Sequence, residues 1–182
     1  MVRFSPEYEV AHEQVKNGAI GRAGVIRLRR SAVASAMNDA DTCLFQQIGL
    51  REFDWLRGTF GEVERVMARE VKCETVHYAL VMLRMAGGAI AHVELELSGS
   101  EVTEHTAYEL TGDQGMLSHD SRESTPIRWS GGQLPLVTGI LEWDSTCLNA
   151  HDLRAALEIA AAARESVVTG QPVKLLHGGE EG

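Results

Sequence analysis

The chain has 182 residues and a formal charge of −9, from 17 basic and 26 acidic side chains. This balance argues against nucleic acid as a partner, because phosphate binding requires a basic surface. Hydrophobic residues make up 44% of the chain, which is enough for the core of one domain. No apolar run approaches the roughly 20 residues of a membrane-spanning helix, so we expect a soluble protein with no membrane partner.

The N-terminal residues and the cysteines both bear on localisation. Residues 1–6 lack the apolar stretch of a secretory signal. The cysteines are odd in number and widely spaced, and they stand at Cys43, Cys73 and Cys147. This pattern disfavours a disulfide framework or a zinc knuckle and predicts reduced, mostly buried thiols. We therefore expect a cytoplasmic protein.

A helix followed by a strand is predicted at the start of the chain. Ser5 suits the N-cap, Pro6 suits the first helical position, and Gly18 suits the C-terminal end. The strand begins near Gly24 with alternating apolar and charged residues. It carries the basic cluster Arg27, Arg29 and Arg30. The alternation favours a solvated or ion-paired strand face over an anion site.

The middle of the chain predicts a second helix and then a series of strands. Residues 35–42 are small and polar, as in a loop, and a helix begins near Leu44 with Gly49, Phe53, Leu56 and Phe60 on one side. Strands are predicted over residues 63–71, 75–85, 89–97, 106–111, 115–119 and 127–129. The 75–85 strand is apolar on both faces, which is typical of a strand covered on both sides.

A final helix and a tail complete the predicted domain. Asn149 caps the helix, Gly170 ends it, and the predicted buried stripe is Leu153, Leu157, Ala160, Ala163 and Val167. Residues 176–182 are expected to be a frayed tail. Consecutive strands with helices near the two ends predict an α+β domain over residues 1–175. Its sheet should be largely antiparallel and open-faced, with helices on one face and no Rossmann domain.

Short motifs occur along the chain in an ordered series. They read RFSP, NGAIG, FDWL, FGEV, GAIA, LTGDQGML, and ES followed by TGQPV. Their order and spacing resemble the C-terminal domain of the glucose-fructose oxidoreductase and inositol dehydrogenase family, Gfo/Idh/MocA. Members of that family normally begin with a Rossmann domain that binds NAD or NADP. The resemblance implies a substrate-side domain whose sheet commonly builds the oligomer interface.

The chain departs from that family in its nucleotide-binding motifs. A dinucleotide site needs a glycine-rich turn from a strand into a helix. The sequence has no G-x-G-x-x-G, and Gly18, Gly21 and Gly24 follow a predicted helix and precede a strand, which is the reverse order. The family's Glu-Lys-Pro motif is absent as well. We expect no cofactor bound by this chain alone, and NAD or NADP only where a partner supplies a Rossmann domain.

A second departure concerns the catalytic histidine. The family usually carries Asp-x-x-x-His in the second helix, and Gln47 and Arg51 stand at those positions here, ahead of Asp54. A guanidinium stays protonated in proteins, so Arg51 cannot act as a general base. The resemblance therefore gives no catalytic residue and leaves enzymatic activity open. The candidate substrate-binding residues are Gln47, Arg51 and Asp54.

Arg51 has two interpretations. It can bind an anion such as a sugar acid or a phosphate, because a guanidinium donates in a fork that matches such groups. The alternative is a surface arginine paired with Glu52 or a neighbour, which needs no functional explanation.

Two other groups of residues bear on metal binding and nucleophilic catalysis. His92, Glu94 and Glu96 share one face of a predicted strand, and with His105 or His77 they could ligate zinc or manganese. Their spacing matches no known metal motif, so no metal is predicted. Cys43 precedes a helix, but no histidine is placed beside it to make it a nucleophile.

The sequence leaves three functional hypotheses. The first is a stand-alone substrate or oligomerisation domain that is not catalytic alone and forms a homodimer through its sheet face. The second is the substrate-binding half, or a fragment, of an NAD(P)-dependent sugar or polyol dehydrogenase whose Rossmann domain is on another chain. The third is a protein that binds a sugar or sugar acid without chemistry.

Overall fold

The computed structural model of the protein describes residues 5–33, 43–99, 104–123, 127–131 and 150–175. The elements in these ranges are, in chain order, α1 Pro6–Lys16, β1 Ala23–Val33, α2 Leu44–Gln47, α3 Leu50–Phe60, β2 Val63–Lys72, β3 Val76–Met85, β4 Ile90–Ser98, β5 His105–Gly112, β6 Gly115–Asp120, β7 Arg128–Gly131, α4 Ala150–Thr169 and β8 Val173–Lys174. The predicted loop over 35–42, the cap Asn149 and the tail 176–182 lie outside the described residues.

The described strands form one eight-stranded sheet in the order β7-β6-β5-β1-β4-β3-β2-β8. Strands β2, β3 and β4 make one antiparallel meander, and β5, β6 and β7 make another. Strand β1 lies between the two, antiparallel to β5 and parallel to β4. The predicted α+β class with a largely antiparallel sheet is confirmed.

The two faces of this sheet differ in what covers them. The helices lie on one face, called the covered face here, where Ile26, Leu28, Val81, Leu83 and Val93 are at most 2% exposed. The opposite face, the open face, carries the alternate residues of the same strands. Three large apolar side chains on it remain substantially exposed: Leu80 at 36%, Met82 at 42% and Ile90 at 43%.

The expectation that the 75–85 strand is covered on both sides is wrong for the described residues of the single chain. Ala79, Val81 and Leu83 are fully buried, whereas Leu80 and Met82 are exposed. The reason is the layering, because the helices pack on one face of the sheet. The apolar content of the open side of β3 is therefore surface in one copy of the chain.

The predicted second helix is broken in two. α2 ends at Gln47 and α3 starts at Leu50, with Gly49 between them. A Cβ atom at Gly49 would lie 2.6 Å from the Phe45 carbonyl oxygen and 2.9 Å from a methyl group of Leu95. Only hydrogen fits so tight a contact. The close approach to β4 therefore accompanies the break in the helix.

The prediction of which side of α4 is buried is wrong for its two leucines. Ala160 and Ala163 are buried as expected, but Leu153 and Leu157 are 39% and 36% exposed. The buried side consists instead of Ala156, Ile159, Ala160, Ala162, Ala163 and Ser166. Small side chains let α4 approach β2, where the Ser166 hydroxyl oxygen accepts a hydrogen bond from the Ala68 backbone N–H at 3.0 Å.

The thiols also differ from expectation. Cys43 is partly buried and Cys73 is exposed, and both are free. Cys73 lies in the turn between β2 and β3, where the chain leaves the core. Cys147 lies outside the described residues.

Candidate functional site

Three aromatic rings attach α1 to the rest of the fold. The Tyr8 ring meets Trp55 of α3 edge-on at 4.9 Å and Tyr108 of β5 edge-on at 5.5 Å. The Trp55 indole N–H donates to the Tyr8 carbonyl oxygen at 3.0 Å, and the Tyr108 hydroxyl donates to the Glu7 carbonyl oxygen at 3.1 Å. Trp55 is 1% exposed, so it is a residue of the core. These contacts fix Tyr8 above the covered face.

A charged pair lies beside this aromatic cluster. The inward positions of β1 are Ile26, Leu28, Arg30 and Ala32, so Arg30 projects toward the helices. Its Nε lies 3.7 Å from Oε1 of Glu52 on α3, and the Glu52 side chain is 2% exposed. Burial raises the pKa of Glu52 to about 7, against the opposing attraction of Arg30 and Arg51. At neutral pH this carboxyl group is therefore poised between its charged and neutral forms.

These residues enclose a small cavity, which we call the notch, lined by Ser5, Tyr8, Arg30, Arg51 and Glu52. Its volume of about 10 Å³ is roughly that required for one water-sized group. Three buried polar atoms in these residues have no hydrogen-bond partner among the described residues: the Tyr8 hydroxyl, Arg30 Nε and Glu52 Oε2. Such unpaired buried atoms are costly, and a ligand or solvent atom in the notch would relieve the cost.

The structure separates the three predicted substrate-binding residues. Arg51 lines the notch and is partly buried, whereas Gln47 is exposed at the end of α2. Asp54 is 0% exposed. The break at Gly49 removes Gln47 and Arg51 from the continuous helix that a spacing of four assumes. The substrate-binding roles of Gln47, Arg51 and Asp54 all stay predictions.

Sequence reasoning missed Tyr8, Arg30 and Glu52 as site residues. The period of β1 carried a usable signal, because Arg30 is in phase with Ile26 and Leu28 and must point toward the core. Arg27 and Arg29 point to the open face instead. The partner of Arg30 is 22 residues away on a helix, a contact that local patterns do not reveal.

The open face is rich in ion pairs. Arg27 pairs with Glu109, and the Arg29 guanidinium contacts a Glu94 oxygen at 2.6 Å. The hydrogen bond to Glu94 raises the pKa of Arg29. Together with the outer residues of β5, β6 and β7 they surround a concavity of about 270 Å³. The basic cluster of β1 is thus divided between the two faces of the sheet.

The metal candidates are placed differently from one another. His92, Glu94 and Glu96 lie on the open face, but Glu94 binds Arg29, and Glu96 accepts a hydrogen bond from Ser31 at 3.1 Å. His77 lies on the covered side of β3 beside Glu70, and His105 pairs with Asp120 at 2.8 Å. Within the described ranges, no three His, Cys, Asp or Glu side chains come together as a metal site.

The glycines of the α1–β1 turn are not arranged as in a dinucleotide-binding turn. Gly18 and Gly21 have φ values of 82° and 67° and form the turn from α1 into β1, the reverse of the strand-to-helix turn that binds pyrophosphate. The space beside Gly21 is filled by Asp113 and Gln114 of the β5–β6 hairpin. Separately, no helix in the described part of the chain is long and apolar enough to cross a membrane.

Comparison with known proteins identifies the fold. No protein-family model matches the chain, and no curated protein matches it. Solved structures do match, among them a probable dehydrogenase from Thermotoga maritima that is 22% identical with a TM-score of 0.73, over 94% of this chain and 62% of that one. A myo-inositol dehydrogenase from Corynebacterium glutamicum is 21% identical with a TM-score of 0.73, over 97% of this chain and 63% of that one.

A third match carries bound ligands. The WlbA dehydrogenase from Bordetella pertussis, solved in complex with NADH and UDP-GlcNAcA, is 14% identical with a TM-score of 0.75, over 96% of this chain and 61% of that one. The chain therefore spans less than two thirds of the length of these dehydrogenases. The predicted resemblance to the C-terminal domain of Gfo/Idh/MocA enzymes is confirmed for the fold.

Proposed function

We propose that this chain is a substrate-side and oligomerisation domain of the dehydrogenase type, not catalytic by itself, which forms a homodimer through its open face. The observation that carries the proposal is the exposure of Leu80, Met82 and Ile90 on a sheet whose other face is fully covered. Exposed apolar side chains on an uncovered sheet face gain free energy when a second layer packs on them. The free thiols Cys43 and Cys73 suit a reducing compartment, and we propose a cytoplasmic location.

A second copy of the chain is the occupant that the open face fits best. A symmetric dimer brings the same surface of each copy together, so that surface must be self-complementary. The presence of both charge signs on the open face, as in Arg27 with Glu109 and Arg29 with Glu94, supports this proposal. The apolar side chains on β3 and β4 supply the hydrophobic centre of such an interface.

Sedimentation equilibrium at micromolar concentration tests the dimer. We expect the wild-type chain to be at least dimeric and Met82→Glu to be monomeric, because a carboxylate would be desolvated at the interface. Val168→Glu is the matched control, since Val168 is 79% exposed on α4, away from the open face. A monodisperse wild-type monomer, or dissociation by both variants alike, contradicts the proposal.

The second candidate function is that of the substrate-binding domain of a dehydrogenase. The Rossmann domain of that dehydrogenase would be supplied by another chain. The notch favours it, because it places Arg51 and two buried polar side chains at one site. Calorimetry should detect no NAD or NADP binding by this chain alone. Co-purification with a nucleotide-binding chain, followed by NAD-dependent oxidation of polyols by the pair, would support this function. A tagged chain that retains no nucleotide-binding partner from its native cells would count against it.

A further inference from the structure

We propose that the notch binds one oxygen atom of an anionic group, a carboxylate or a phosphate carried on a sugar, and that Arg30 and Arg51 hold this group. The inference extends the second candidate function, that of a substrate-binding domain. Only the sugar part of the ligand rests on that function. Binding of the anionic group itself depends on this chain alone, so it can be tested without any partner.

The charge of the notch is the first argument. Arg30 and Arg51 are permanent cations, and Glu52 is the carboxylate that faces both of them. Tyr8 also faces this group, and its own pKa is raised well above the ordinary value by burial, so its hydroxyl stays neutral. With Glu52 charged, the notch carries one net positive charge, and with Glu52 neutral it carries two. Part-buried positive charge without a counter-ion is costly, and an anion removes that cost.

The hydrogen-bonding capacity of the notch is the second argument. Arg30 Nε can donate, the Tyr8 hydroxyl can donate, and Glu52 Oε2 can donate when the carboxyl is protonated. The Tyr8 and Glu52 side chains are at least nine-tenths buried, at 5% and 2% exposure. Three converging donors match the lone pairs of one anionic oxygen group.

The size of the notch limits what enters it. About 10 Å³ admits roughly one oxygen atom, as a water molecule would. The rest of the anionic group and the sugar ring must therefore lie outside the notch, on the side where Arg51 is partly exposed. This division predicts that the anionic group dominates recognition and that a neutral sugar of the same shape binds poorly.

Titration calorimetry with three probes tests the proposal: D-glucuronate, D-glucose 6-phosphate and D-glucose. We expect at least one anionic probe to bind and D-glucose to bind at least tenfold more weakly. The stronger of the two anionic probes identifies the carboxylate or the phosphate as the source. Equal binding of D-glucose, or no binding of any probe, would overturn the proposal.

Variants locate the site. Arg51→Gln should weaken binding of the anionic probe about tenfold to hundredfold, the usual effect of losing a charged hydrogen bond. Arg154→Gln is the matched control, because the Arg154 side chain is 81% exposed on α4, and it should bind as wild type. Circular dichroism verifies that both variants are folded. Unchanged binding in folded Arg51→Gln would refute the site.

The pH dependence of binding supplies a readout that a purely structural role of Glu52 would not give. An anion binds best to the form with Glu52 neutral, so the affinity should fall as the pH rises above 7, by at most about tenfold per pH unit. Glu52→Gln should keep the binding and lose this dependence. A wild-type affinity that is flat from pH 6 to pH 8.5 would be incompatible with Glu52 facing the anion.

Discussion

On the covered face of the sheet, β3 contributes Ala79, Val81, Leu83 and Met85, all fully buried, whereas its alternate residues Leu80 and Met82 are 36% and 42% exposed on the open face. The strand is apolar on both sides, but one copy of the chain supplies a helical layer for one side only. An apolar pattern on both sides of a strand therefore does not by itself tell which side the helices of one chain cover. The charged groups differ in the same way. The Glu52 carboxyl group is buried under the helices, while Glu109 beside Arg27 is 40% exposed.

The largest expected effect compares neighbouring residues of β3. Leu83→Ala should lower the free energy of unfolding by about 2–5 kcal/mol, because it leaves a cavity in the covered core. Met82→Ala should cost less than about 1 kcal/mol in dilute solution, since the side chain is already partly hydrated. Urea titration followed by circular dichroism measures both. If the loss of unfolding free energy for Met82→Ala grows with protein concentration, the open face takes part in pairing between chains. Equal losses for Met82→Ala and Leu83→Ala in dilute solution would contradict the difference between the two faces.

The pH dependence of stability compares the buried and exposed carboxylates. The folded-state pKa of Glu52 is raised to about 7 from 4.5, so between these values the unfolded chain ionises while the folded chain keeps its proton. Stability should therefore fall by up to about 3 kcal/mol as the pH rises from 4.5 to 7. Glu52→Gln should lack this fall.

The control for this second prediction lies on the open face. Glu109→Gln removes an exposed carboxylate, whose pairing with Arg27 is screened by water, and it should leave the wild-type pH profile in place. Unfolding free energies measured by urea titration at several pH values make the comparison. A parallel profile for wild type and Glu52→Gln would mean that Glu52 is not buried as described.

The smallest expected effects compare two glycines of the helical layer. Gly49→Ala should cost about 1–3 kcal/mol, because the added methyl group meets the Phe45 carbonyl oxygen and Leu95. A Cβ at Gly58 meets nothing within 4 Å, and Gly58→Ala in the exposed part of α3 should stabilise the fold by about 0.4–1 kcal/mol. Thermal unfolding of the two variants gives opposite shifts, and a stabilising Gly49→Ala would show that the contact with β4 can relax.

Much of the fold was predictable because its signals are local. The strand predicted over residues 89–97 is β4, because its alternating apolar residues are a local signal. The turn before it contains Gly88, which has a φ of 90° that glycine adopts without strain. Gly170, with a φ of 70°, ends α4 as predicted. In each case a few neighbouring residues decide the conformation, so no knowledge of the tertiary structure is needed.

The failures depend on tertiary contacts. The helix break at Gly49 coincides with a close approach to Leu95, which is 46 residues later in the chain. The predicted buried side of α4 included Leu153 and Leu157, because leucine is more apolar than alanine. The close approach of α4 to β2 instead places alanine and serine on the buried side. Of the notch residues, resemblance to a family pointed to Arg51. Arg30 and Glu52 belong to different elements, and their pairing is visible only once the sheet and helices are assembled.

The position of β1 has a consequence for how the chain reaches its native state. Each meander, β2 to β4 and β5 to β7, joins strands that are neighbours in sequence and can form early. β1 precedes both meanders in the chain yet connects them in the sheet, with Val25 opposite Ile90 on one side and Thr111 on the other. Contacts of such long sequence separation form slowly. Strand β1 therefore stays unpaired along both edges until β4, which ends at Ser98, has been synthesised.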